Sequence, residues 1–441
     1  TAVVAPAAPA AEAVAPASFV PTAEMVNKGD VAWMLVASAL VLMMSVPALA
    51  LFYGGLVRAK NMLSVLMQVL TIVCVAALVW FSWGYSMAFT STGTPFPTIV
   101  GGLDKAFLAE TVANPTGDLM GAIVSMEAHR PRITEADTAM RAERAARLIA
   151  ANGATAIRTH ADLTEANGVT SVAALLHVRE LLADLVRIEV FALSGWPSIG
   201  AAGAQQRALL REAVAMGIDG IGGCPHLEAH PAAANETFLA LAQEAGLPLD
   251  LHTDETLDRS RFALEDLAER VLDRAFPHRV TASHCVSLGM QTEAVQARVA
   301  EKLAAAAISV VALPSSNLFL QGRDHQVAMP RALTPVRALR RAGVNVAAGA
   351  DNLQDPFNPV GRGDCMETAG LMVMAGHVLP DEAYAMVSSR VRQLMGLAAA
   401  GTAVGEVADL VLVPARTTRE AIAFGPPGRV VIRAGRVVDA H

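Results

Sequence analysis

The stretch His252-Thr253-Asp254-Glu255 puts an imidazole and two carboxylates side by side. Hydrolysis of a C–N bond on a ring calls for a metal ion that lowers the pKa of water. It also calls for a carboxylate that carries the water proton to the leaving nitrogen. His252 suits the first task as a ligand, and Glu255 suits the second. If the stretch is a strand, His252 and Asp254 share one face and Glu255, at the strand's end, can turn over the site. Two further apolar runs finish in the same way: Thr281-Ala282-Ser283-His284 on a histidine, and Ala348-Gly349-Ala350-Asp351-Asn352 on an acid. A His, a His and an Asp ending successive strands are costly to bury without a purpose, and the three together point to a site.

The elements that must position these residues are legible as a repeat. Strands are expected near Ala154–Asp162, Val186–Leu193, Ile218–Pro225, Leu247–Glu255, Arg279–Cys285, Ile308–Pro314 and Val344–Asn352. Between them, stretches such as Ala204–Ala215 and Ala294–Ala307 have helical periodicity. Alternating strands and helices imply a parallel sheet covered by helices. A TIM barrel fits better than an open sheet, because most strands end in polar residues, where barrel active sites sit. Ala408–Pro414 and Arg429–Val438 alternate like two more strands after the barrel.

Ahead of this lies a different composition. The first 115 residues hold nine of the chain's 75 charged side chains. Residues 1–24, rich in Ala and Pro, read as a flexible leader, and the absence of an initial Met implies processing or a longer reading frame. Val31–Tyr53 and Met62–Phe89 are uncharged apolar runs, each long enough to cross a bilayer as a helix. Arg58 and Lys60 in the link favour its placement on the cytoplasmic side, which puts the remainder of the chain outside. A net charge of −7 and the lack of a basic, aromatic-laced stretch exclude a nucleic-acid partner. Cys74, Cys224, Cys285 and Cys365 are scattered, with no CxxC, so no disulfide framework is expected.

Two families are resembled. Ala50-Leu51-Phe52-Tyr53-Gly54-Gly55-Leu56-Val57-Arg58-Ala59-Lys60-Asn61, with Trp83-Gly84-Tyr85-Ser86, resembles the start of an ammonium transporter over about residues 25–112. The later helices that carry that family's pore are absent from the sequence. From about Gly117 onward the chain resembles cytosine deaminase and its relatives in the amidohydrolase superfamily. The motifs are Arg158-Thr159-His160-Ala161-Asp162, Pro225-His226-Leu227-Glu228, Leu251–Glu255, Arg279–His284, Leu320-Gln321-Gly322-Arg323 and Gly349–Asn352. The resemblance implies one divalent metal, zinc or iron(II), held by His252 and Asp351. It also implies Asp351 as acceptor of the water proton, Glu255 as the proton shuttle, and His284 polarising the water or oxyanion. Gln321 and Asn352 would face the substrate, and His160 and His226 would support the site.

The chain departs from the pattern in one large respect. That family's metal site begins with an HxH pair on the first barrel strand, and none of the 11 histidines here is separated from another by one residue. The expected fold is therefore α/β, an incomplete (β/α)8 TIM barrel with seven of eight strands and C-terminal sandwich strands, preceded by a two-helix transmembrane hairpin. The domains run 1–24, 25–112, 116–400 and 401–441. The expected activity is an impaired metal-dependent deamination of a nucleobase-like or triazine-like heterocycle, with water as co-substrate. Cytosine itself is left open, because Ala192-Leu193-Ser194-Gly195-Trp196 lacks the family's pyrimidine-reading glutamine and Asn352 replaces a second Asp. The alternatives are an ammonium-transporter fragment and an inactive chimeric frame. Membrane attachment through residues 31–89, and a homo-oligomer, are left open.

Overall fold

The computed structural model describes residues 61–79 and 114–438, with Val36 and Val112. The leader, nearly all of Val31–Tyr53 and the end of the second apolar run lie outside the described residues. The chain divides into two units, Thr1–Glu110 and Thr111–His441.

In the first unit, Met62–Val79 is a helix of 18 residues without a charged side chain. Its exposed Leu63, Met67, Leu70, Ile72, Val75 and Leu78 leave apolar surface on several faces. At about 1.5 Å per residue it rises about 27 Å, short of the ~30 Å hydrocarbon core of a bilayer. Among the described residues no helix is long and apolar enough to cross a membrane.

The second unit is built on a seven-stranded parallel sheet in sequential order: β1 (Ala156–Leu163), β2 (Arg187–Ser194), β3 (Gly220–Gly223), β4 (Leu249–Thr253), β5 (Val280–His284), β6 (Ser309–Ala312) and β7 (Val346–Ala348). Each expected strand is present; β2 has the expected length shifted by one residue, and the other six are shorter. The sheet stays open: among the described residues β1 pairs only with β2, and β7 only with β6. A three-stranded antiparallel sheet follows, formed by β8 (Leu410–Leu412), β9 (Val430–Arg433) and β10 (Arg436–Val437).

Alternation divides each barrel strand into two sets. On β1, Ala161 and Leu163 join the main apolar core with Val172, Leu176 and Val178 of the helix Thr170–Leu181. The opposite set, Arg158, His160 and Asp162, makes polar contacts with residues of other elements. Strand β3 is Gly-Ile-Gly-Gly, and close approach explains the glycines. A Cβ on Gly220 would meet the Phe191 ring at 2.0 Å, and one on Gly223 the Phe238 ring at 2.2 Å.

The seam between β1 and β7 is strapped at one end. Asn114 Nδ2 donates to Pro356 O (3.0 Å) in the loop after β7. The helix Leu119–His129 follows, and Arg130 behind it pairs with Asp162 on β1 at 3.0 Å. Arg130 is buried in this pair, while the Asp162 side chain is 40% exposed.

Candidate active site

The site forms where β4, β5, β6 and β7 end. Strand β4 stops at Thr253, and Asp254 takes a left-handed backbone with φ 50°. This corrects the expectation that His252 and Asp254 point together, because the reversal breaks the two-residue alternation. The Asp254 carboxylate instead accepts from Ala263 N (2.9 Å) and Leu264 N (3.0 Å), at the start of the helix Leu264–Asp273. Burial pushes its pKa up to about 7 against those hydrogen bonds. Glu255, one residue on, turns into the site.

His284 ends β5 with φ 68°, and Asp351 lies beyond β7 with φ 33°, in the loop rather than on the strand itself. Such left-handed non-glycine backbone stores strain at sites whose surroundings impose it. His284 Nδ1 is 3.4 Å from Glu255 Oε1, and its Nε2 is 3.6 Å from Asp351 Oδ2. Glu255, His284 and Asp351 each offer a ligand atom within 4.8 Å of the others.

The helix Pro314–Leu320, after β6, supplies two partners that the sequence reading missed. Ser316 Oγ donates to Asp351 Oδ2 at 2.7 Å. Asn317 Nδ2 lies 3.0 Å from His284 Nδ1 and 3.3 Å from Glu255 Oε1. Ser316 and Asn317 lie four and five residues past the end of β6, and nothing in their spacing pointed to them.

His252 stands one step lower. Its ring centroid is 4.9 Å from that of His284 and 5.0 Å from that of His160, and its buried Nδ1 has no hydrogen-bond partner. His226 Nδ1 meets His252 O at 2.9 Å, pinning the backbone that carries His252. Beneath the histidines lies a buried ionic layer. Arg158 pairs with Glu189 (3.0 Å) and Asp250 (2.9 Å), and Asp250 also accepts from Ser283 Oγ at 2.8 Å. Of the expected substrate contacts, Gln321 has both side-chain amide atoms buried and unpartnered, free for a ligand. Asn352 donates to Asp355 Oδ2 instead. His230 is exposed, as expected, and Cys285 is a fully buried thiol.

Burial sets the proton affinities. It raises the Glu255 carboxyl well above the ordinary carboxylate range, and the charge of Asp351 adds to the effect. It drives His284 well below the usual imidazole value, with His252 and His226 contributing, and brings His160 and His226 down to about 4. A carboxyl that keeps its proton, beside a neutral imidazole and a second acid, can donate to a ring nitrogen while a partner takes a proton from water.

An open parallel sheet of seven strand–helix units, with an acid–histidine–acid cluster at the carboxyl ends of its strands, is the half-barrel form of the TIM-like fold. The chain belongs to the amidohydrolase family, whose model matches residues 101–439. It is 35% identical to a pterin deaminase of Rhizobium rhizogenes over 346 residues, which span 76% of this chain and 78% of that protein. The crystal structure of 5-methylcytosine deaminase from Klebsiella pneumoniae with 5-fluorocytosine superposes with TM-score 0.69 at 29% identity, covering 74% of this chain and 80% of that one. The model of the ammonium transporter family matches residues 32–150, so a transporter-like segment is joined to the hydrolase. Ammonium transporter 1 of Schizosaccharomyces pombe is 39% identical over 90 residues, 20% of this chain and only 17% of that protein. The two matches overlap from residue 101 to residue 150. The packing decides from residue 114 on: Arg130 pairs with Asp162, and Asn152 donates to Gly363 O, so these residues belong with the hydrolase.

This family generally binds a divalent metal. The four-ligand centre implied by the resemblance does not fit the residues present: the sequence lacks an HxH pair, and His252 stands outside the converging Glu255–His284–Asp351 group.

Proposed function

We propose that residues 116–438 act as a hydrolase that removes an amino group from a nitrogen heterocycle of pterin, pyrimidine or triazine type. The observation that carries this reading is the convergence at the strand ends of Glu255 and His284, both buried, with the half-buried Asp351. Protonated Glu255 donates to the ring nitrogen, which makes the adjacent carbon electrophilic. Asp351, held by Ser316, takes one proton of the attacking water and passes it to the amino group, while His284 stabilises the developing oxyanion. The C–N bond breaks, ammonia leaves, and the hydroxyl proton returns to Glu255 as the carbonyl forms. Gln321, with its unpartnered amide, pairs with the ring edge. Loss of the HxH ligands leaves this proton chemistry without its strongest electrophile, so turnover is slow. Family membership and the similarity to a pterin deaminase support the class of substrate.

The test is ammonia release from a panel of aminopteridines, aminopyrimidines and aminotriazines. The chain is assayed stripped of metal and again with zinc or iron(II). Slow release that disappears in E255Q is expected. Equal release by E255Q and the parent chain, or none from either at every metal load, overturns the reading.

For the N-terminal part we infer attachment to a membrane through residues 31–89. The transporter-family match and the charge-free Met62–Val79 helix support it. Recovery of the full chain in carbonate-washed membranes would bear it out, and recovery in the supernatant would refute it.

A further inference from the structure

We propose that a second small-molecule site lies at the opposite end of the barrel strands, and that it binds a phosphate ester carrying a ring, of the nucleotide type. It is independent of the reaction proposed above and shares no residue with it.

A cavity of about 750 Å³ opens where β1 and β2 begin, between those strand starts and the C-terminal sheet. That volume falls within the range of small-molecule pockets, roughly 300–1,000 Å³, and exceeds what a bare ion needs. The fold fixes its position. Ala156 and Arg187 open β1 and β2 as paired residues, while Arg433 and Arg436 flank the turn between β9 and β10. The 8 residues of β1, rising roughly 3.3 Å each, separate this cavity from the site at the other strand ends.

Four arginines line the cavity, Arg187, Arg392, Arg433 and Arg436, against two acids, Asp184 and Asp409. The lining is thus positive, on a chain whose net charge is −7. Arg392 and Asp409 neutralise each other at 2.8 Å, and Asp409 also accepts from Ala434 N, so this pair forms a finished wall. The other arginines are less well matched. Arg187 has only a distant carboxylate, Glu189 at 3.7 Å, and that acid is already engaged by Arg158. Arg433 donates to Ala183 O, and Arg436 has no hydrogen bond or ion pair among the described residues. Arg433 and Arg436 stand directly opposite each other across β9 and β10, a placement in which like charges repel. An anion between them removes that cost. Guanidinium forks pair with phosphate oxygens two at a time, which a phosphate dianion satisfies. The remaining wall, with Leu185, Leu397, Val407 and Val437, is apolar and suits a ring.

The full chain is titrated by calorimetry with uridine monophosphate, whose ring carries no exocyclic amino group, and separately with uridine and with inorganic phosphate. About one nucleotide per chain is expected, bound at least about tenfold more tightly than uridine or phosphate. R187Q and R436Q should each weaken it by about tenfold or more. R211Q, at an exposed arginine outside the cavity, and E255Q should each change it less than about twofold. Circular dichroism of each variant confirms that it folds. A parent chain that takes up no nucleotide overturns the proposal. So does binding that R187Q or R436Q leaves intact, or that R211Q or E255Q weakens as much. Uridine or phosphate bound as tightly as the nucleotide also overturns it, because the arginines or the apolar wall then contribute nothing. Ammonia release is not read, so either result leaves the hydrolase reading untouched.

Discussion

The side-chain nitrogen of Asn317 lies 3.0 Å from Nδ1 of His284, inside a region from which water is excluded. The same amide reaches Glu255 at 3.3 Å, so one residue sets the mutual orientation of two groups. N317A should therefore lower kcat for ammonia release by about ten- to a hundredfold and leave KM nearly unchanged. Unfolding in urea should show a loss of roughly 1–3 kcal/mol from the buried groups left unpaired. An unchanged kcat would remove Asn317 from any positioning role.

Asp254 offers the opposite case, an acid beside the site whose work is structural. D254A should cost roughly 1–3 kcal/mol in denaturant unfolding at pH 5, since two backbone donors lose their acceptor. D254N, which keeps an acceptor, should stay close to the parent in both stability and ammonia release. With its pKa raised from 3.8 to about 7, this carboxyl contributes fully below pH 3.8, and its contribution fades as pH rises through 7.

The buried neutral histidines give acid lability with the reverse slope. His226 titrates at about 4 in the fold and 6.5 when unfolded, so between those values the unfolded chain holds more protons. Its contribution is intact above pH 6.5 and is lost as pH falls through 4, by roughly 3 kcal/mol. In H226N, whose amide can still reach His252 O, a plot of unfolding free energy against pH should be flatter over that interval. A slope equal to the parent's would show that His226 does not titrate this way.

Arg158 sits between Glu189 and Asp250 with 9% of its side chain exposed. R158M should destabilise the chain by about 3–5 kcal/mol, because buried Asp250 then loses its arginine and buried Glu189 keeps only the exposed Arg187 at 3.7 Å. Adding E189L and D250L should recover most of that loss in the same melting experiment, since an apolar layer of similar volume replaces the ionic one.

Much of this was readable in the residues. The apolar runs located all seven strands, and the polar residues that close them pointed to His252, Glu255, His284 and Asp351, of which the fold brings the last three within 4.8 Å of one another. The missing HxH pair correctly implied a sheet that does not close. Asp254 was misread because alternation holds only while the strand lasts, and the left-handed turn comes at that residue. Ser316 and Asn317 were missed because hydroxyls and amides at a strand end carry no signal until their partners, 35 and 33 residues away, are brought alongside. Nor could spacing alone reveal that Asn114 and Arg130 tie both edges of the seam.

That open seam gives the molecule a mechanical character. A closed barrel is a hoop, in which displacement of one stave is resisted from both sides. Here the hoop is cut, and the two lips, one carrying His160 on β1 and the other leading to Asp351 beyond β7, are joined by cross-ties: the strap around Leu119–His129, Asn152 bonded to Gly363 O, and Arg429 between Asn152 O and Asp364. His252 and His284 sit on adjacent paired strands, so their spacing is fixed by the ladder between them. The distance from His160 to Asp351 is instead set by those cross-ties. A force that lengthens them parts the two lips.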